Sequence, residues 1–117
     1  MESFELNLTE IVPGIPVAVF KGYLAAEGGA KLMETVEPLL QSGKVKVVLD
    51  FKDCKVISSP GIAALIDLVM LINDDFKGKC IISGLDNSKT MFLKMTGVLP
   101  LAETSASAEE ASNALKT

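Results

Sequence analysis

The chain has 117 residues, of which 49% are hydrophobic and 22% charged, enough for one folded domain and too apolar for a disordered segment. Fifteen acidic against 11 basic residues give a net charge of −4, and with 5% aromatics and no Trp the chain lacks the footprint that direct nucleic-acid or anionic-membrane binding requires. There is no histidine, which removes His-based acid–base catalysis, Ser-His-Asp triads and His metal sites together.

"FELNL" and "VAVFKGYL" read as two strands joined through "TEIVPGIP", where Pro13-Gly14 suits the centre of a type II turn, so an N-terminal hairpin is expected. From Glu27 to Gln41, Ala30, Leu32, Met33, Val36, Leu39 and Leu40 recur at helical spacing, with Gly28 and Gly29 weakening the start and Gly43 placed to end the helix. "KVKVVLDF" is a continuous apolar strand of the kind buried on both faces. Pro60 to about Phe76 reads as a second helix, with Ser59 as N-cap and Pro60 at its first position. Then come strand "KCIISG", helix "DNSKTMFLKMTG", a short strand "LPLAET" and a last helix from Ser107, whose spacing to Glu110 matches a capping box. The order β-β-α-β-α-β-α-β-α predicts an α/β fold: a mostly parallel sheet with an antiparallel edge from the hairpin.

"MESFELNL" shows no secretory leader pattern, and the longest nearly apolar run, Gly61 to Ile72, falls short of the roughly 20 residues that span a bilayer. A soluble, cytoplasmic protein without direct membrane insertion is expected. Cys54 and Cys80 have no metal spacing and are expected to be reduced and structural.

The segment "VISSPGIAAL", residues 56 to 65, leaves two readings open. In one, Ser59 caps the helix, Pro60 sets its direction and Ser58 is a polar loop residue. In the other, Ser59 or Ser58 is a phosphorylation site, since a helix N-terminus holds a phosphate on its unpaired N–H groups and positive dipole end. Lys52 and Lys55, in the preceding loop, either add positive charge to such a site or are ordinary solvated residues.

The helix that follows carries Asp67 as its only charge before Asn73, where a surface helix shows a polar half. Either it is buried on several sides or its first turn presents Pro60, Gly61, Ile62 and Ala63 as an exposed apolar docking patch; a chain of this size has little volume to hide it, which favours the second. Catalysis finds little support. "GGAK" lacks P-loop spacing, Asp50, Asp53 and Asp67 are scattered, and a serine nucleophile has only Lys for a base.

Taken together, "VAVFKGYL", "VKVVLDFKDCKVISSPGIAALIDL", "CIISGLDNSKTMFLKMTGVLPL" and "SAEEASNAL" resemble, nearly end to end, the STAS domain of bacterial anti-sigma-factor antagonists. The specific part is the strand-loop-helix core around Asp50 and Ser58 to Leu65. The resemblance implies one STAS-like domain over residues 1–117, its sheet covered mainly on one side by about four helices; the missing catalytic groups add the expectation of no enzymatic activity and no cofactor. It also implies a protein–protein switch: the unmodified domain binds an anti-sigma factor, often a GHKL-type serine kinase, and frees a sigma factor. Phosphorylation by that kinase breaks the complex, and a PP2C-type phosphatase restores it. The partner-binding residues would be Lys52, Lys55, Ser58, Ser59, Pro60, Gly61, Ile62 and Ala63.

One departure matters. The family motif resembles Asp-Ser-Ser-Gly-Leu, with the acceptor serine directly before the glycine. Alignment on Gly61 puts Ser58 at the Asp position, Ser59 at the first serine and Pro60, which has no hydroxyl, at the acceptor. Transfer to Ser59, with Ser58 as the alternative, is one consequence; a permanently unmodified antagonist is a second. The third is a STAS module of another assembly, such as a signalling scaffold or a transporter accessory subunit. A small-ligand carrier using the helix-free side of the sheet is the competing class.

Overall fold

The computed structural model describes residues 3–116; Met1, Glu2 and Thr117, within the expected 1–117 domain, lie outside the described residues. The elements are β1 (Phe4–Glu10), β2 (Pro16–Leu24), α1 (Ala26–Gln41), β3 (Lys46–Asp50), β4 (Cys54–Ile57) and α2 (Ser59–Met70), then a π-helical turn (Leu71–Asp75), β5 (Lys79–Ser83), α3 (Asn87–Met95), β6 (Glu103–Ser105) and α4 (Ala108–Ala114). They form one sheet in the order β1-β2-β3-β5-β6, with β4 pairing β2 beyond the end of β3. Only β1 runs antiparallel; β2, β3, β4, β5 and β6 are parallel neighbours.

The hairpin closes as its sequence dictates. The Ile15 N–H donates to the Val12 carbonyl at 3.0 Å across Pro13-Gly14, and Gly14 takes φ +87°, the left-handed value a type II turn needs at its third residue.

Alternation along the strands sorts side chains into two cores. Ala18, Phe20, Val47, Leu49, Cys80 and Ile82 face the larger one, which α1, α2 and α3 cover with Leu32, Val36, Leu65, Val69 and Leu93. Val17, Val48 and Ile81 face the other side, where α4 lays Ala111 and Leu115 over them. Of the four α-helices among the described residues, three thus share one face. The face expected to be helix-free is partly covered by α4.

The two glycines that weaken the start of α1 have a packing reason. A Cβ on Gly28 would lie 2.7 Å from the Phe20 ring, and one on Gly29 would lie 2.5 Å from the Cβ of Ala64 on α2. Helix propensity is given up there so that α1 can approach both the sheet and α2.

Three expectations need correction. β4 lies where a plain loop was expected, because Cys54 and Ile57 turn into the core while Lys55 and Val56 stay exposed. The last strand starts at Glu103 instead of Leu99, since residues 98–102 form a turn that buries Val98 and Ala102. The cap of α2 is Ser58, one residue earlier than expected. Cys54 and Cys80 are free and buried as expected, and burial pushes the Cys80 thiol up to about 12. No helix of the described residues is long and apolar enough to cross a membrane.

Candidate functional site

The start of α2 is held by one backbone oxygen on the neighbouring strand. The Ser58 N–H donates to the Leu24 carbonyl at 2.9 Å, and the Ser58 hydroxyl reaches the same oxygen at 3.4 Å. That hydroxyl also accepts from the Gly61 N–H at 3.3 Å, while the Ser58 carbonyl takes the first helical bond from Ile62 at 2.8 Å. Ser58 is therefore half-buried and engaged on both sides as the N-cap.

Ser59 and Pro60 occupy the first two helical positions and are exposed. The Ser59 hydroxyl bonds to no described residue. Pro60 loses nothing here, because the N–H groups of the first turn lack helical partners in any case. No acidic side chain lies in this first turn to offset the positive end of the helix dipole.

The expected apolar patch divides. Pro60 and Ala63 are exposed, whereas Gly61 is buried and Ile62 is only 7% exposed, which corrects the expectation that all four form a docking surface. The physical reason is the main core: Ile62, Leu65, Leu68 and Val69 turn into the cluster that holds Phe20, Leu49 and Ile82 of the sheet and Leu93 of α3, while α1 packs on another side of α2 through the Gly29–Ala64 contact. What reaches solvent is a narrow stripe at helical spacing, Ser59, Pro60, Ala63, Asp67 and Met70.

The two lysines do not converge on the serines. Lys52 lies in the turn after β3 and lines an open depression of about 510 Å³ with Asp50, Gly84, Leu85, Asp86 and the Ala106–Ala108 segment. Lys55 lies on β4 and lines a second depression of about 620 Å³ with Ser3, Glu5, Lys21 and Asp53. Neither depression is lined by residues 58–63.

Asp50 has a structural task that sequence reading passed over as a scattered acid. Its Oδ1 accepts from the Lys52 N–H at 3.1 Å and from the hydroxyl of fully buried Ser83 at 3.3 Å, tying the ends of β3 and β5 together. Asp86 caps α3 by accepting the Lys89 N–H at 2.8 Å, and its bond to the Lys89 ammonium holds its carboxyl below the usual range. The described residues bring no three potential metal ligands together.

The family model for the STAS domain matches residues 8–111. The chain belongs to the STAS domain family. Searching the curated proteins returned no match. Among solved structures, this STAS domain is similar to an anti-sigma factor antagonist from Mycobacterium paratuberculosis, with TM-score 0.83 and 12% identity over 98% of this chain and 96% of that one. It is also similar to the Bacillus cell fate determinant SpoIIAA in its phosphorylated form, with TM-score 0.74 and 14% identity over 96% of this chain and 100% of that one. The unphosphorylated form of the anti-sigma factor antagonist SpoIIAA gives TM-score 0.72 and 12% identity over 94% of this chain and 96% of that one. At such identities the likeness carries the fold.

Proposed function

We propose that this STAS domain is a bacterial anti-sigma-factor antagonist, a non-enzymatic switch that docks an anti-sigma factor through the exposed stripe at the start of α2 and is released when Ser59 is phosphorylated. The observation that carries the reading is the contrast between the two serines: Ser58 is half-buried and bonded as the cap, while Ser59 is exposed with a free hydroxyl beside Pro60 and Ala63. A kinase reaches Ser59 without disturbing the helix; modifying Ser58 sacrifices the cap, which is worth about 1 kcal/mol.

A phosphate at Ser59 brings about −1.5 to −2 charges beside the docking stripe. Desolvating that charge opposes association, and a penalty of about 3 kcal/mol weakens a complex roughly a hundredfold. The helix itself stays folded, because the phosphate sits at the favourable end of its dipole. A GHKL-type serine kinase as partner and a PP2C-type phosphatase as its opponent complete the cycle, in the cytoplasm. The test is capture of partners from a bacterial lysate, then incubation with the captured kinase and ATP and mapping of the modified peptide. Phosphate on Ser59 supports the switch; recovery of transporter subunits alone contradicts it.

Pro60 favours a second reading, a constitutive STAS module in a signalling scaffold or transporter accessory subunit, because the family's usual acceptor position has no hydroxyl in this chain. Ser58 and Ser59 both unmodified by the kinase, with binding intact, is the result expected of that module.

A further inference from the structure

β1 is a seven-residue edge strand, and its hydrogen-bonding pattern shows which of its backbone groups face outward. The Tyr23 N–H donates to the Ser3 carbonyl at 3.0 Å, so Ser3 and Tyr23 form a hydrogen-bonded pair. Alternation then turns the N–H and C=O groups of Glu5, Asn7 and Thr9 toward β2, and those of Phe4, Leu6, Leu8 and Glu10 away from it. The Gly22 N–H agrees: opposite Phe4 in register, it bonds away from β1 to the Asp53 carbonyl at 3.0 Å. Four residues therefore present unpaired backbone donors and acceptors along one edge.

Edges of this length are normally blunted by lysine, proline or a bulge. β1 has none of these over Phe4–Glu10, whereas the opposite edge, β6, is only three residues long. The two acids on β1 are compensated within the chain: Glu5 stands opposite Lys21 in the ladder, and Glu10 bonds the Lys44 ammonium at 3.1 Å. Leu8 on the same strand is 46% exposed.

We infer that β1 pairs antiparallel with β1 of a second copy about a two-fold axis at Asn7, joining the two sheets into one. The sequence is self-complementary in that register. Leu6 faces Leu8 of the second copy and Leu8 faces its Leu6, so each copy covers the other's exposed leucine. Glu5 faces Thr9, Glu10 faces Phe4, and the two Asn7 side chains meet at the axis, with no like charges opposed. Every outward N–H finds a carbonyl. A single strand pairing buries an area at the low end of specific interfaces, so the dimer is weak and concentration-dependent. This inference is independent of the proposed function, since it involves neither α2 nor the serines.

The test is sedimentation equilibrium of the full chain over a concentration series, with substitutions chosen by backbone direction. In Leu8→Pro the lost N–H is one that faces outward, so the β1–β2 ladder is kept and only the dimer suffers. Association is expected to fall at least tenfold. Thr9→Lys places a cation against Glu5 of the second copy and strengthens the dimer several-fold at low salt; Thr9→Glu weakens it. These two variants decide the matter should Leu8→Pro unfold the chain. A wild-type mass that stays monomeric up to about 1 mM, or a dimer indifferent to the Thr9 substitutions, overturns the proposal.

Discussion

Gly61 lies against the Leu24 carbonyl with no room for a side chain: a Cβ there would collide with the oxygen and come within 2.8 Å of the carbonyl carbon. The same carbonyl receives the N–H and hydroxyl of Ser58, so one peptide at the end of β2 sets both the cap and the direction of α2. Gly61→Ala is expected to destabilise the fold by about 2 kcal/mol through overpacking. Urea unfolding measures it, and a loss below half that figure shows that the contact relaxes easily.

Ser58→Ala and Ser59→Ala separate capping from control. The first removes the acceptor for the Gly61 N–H and should cost about 1 kcal/mol. The second removes an exposed, unbonded hydroxyl and should change stability by less than about 0.5 kcal/mol. Thermal melts of the pair check this, and equal losses would contradict the assignment of Ser58 as the cap.

Ile62→Glu tests the interior side of α2. Ile62 is 7% exposed within the main core, so an ionised carboxylate there has neither water nor a partner. A loss of about 3 kcal/mol or more is expected. Ala63→Glu, on the exposed stripe, should leave the melting temperature nearly unchanged.

Burial holds the Cys80 thiol neutral, its pKa pushed up to about 12, whereas in the unfolded chain it titrates near ~8.5. The folded value is the raised one. Its stabilising contribution is therefore complete below the unfolded value and is lost as pH rises toward 12. Between about pH 8 and pH 10.5, the wild type should lose about 2 kcal/mol more stability than Cys80→Val, which fills similar space without titrating. Denaturant unfolding at the two values measures the difference, and identical pH profiles would contradict the burial of that thiol.

Much of this fold is legible in the sequence where the signal is local. The Pro13-Gly14 turn, the periodicity of α1 and the Ser107–Glu110 cap, whose hydroxyl accepts the Glu110 N–H at 3.1 Å, depend on neighbours a few residues apart. β4 escapes notice because CKVI alternates badly: buried, exposed, exposed, buried. The choice between Ser58 and Ser59 as cap is equally hidden. Both are serines before an apolar run, and what decides between them is the Leu24 carbonyl, 34 residues upstream of Ser58. The burial of Ile62 depends likewise on distant residues, the strand and α3 side chains of the main core, and the glycines of α1 at positions 28 and 29 read as helix weakness until Phe20 and Ala64 are seen against them. Lys52 and Lys55 read as one basic loop, but β4 begins between them and assigns them to different depressions.

In the proposed switch, the exposed stripe of α2 docks an anti-sigma factor and charge at Ser59 disrupts the docking. Calorimetric titration of the proposed anti-sigma partner with the wild-type chain, Ser59→Asp and Ala63→Glu tests this most directly. Both variants are expected to keep the wild-type fold and to bind at least tenfold more weakly, a loss of about 1.4 kcal/mol or more. Undiminished binding by both folded variants would contradict it.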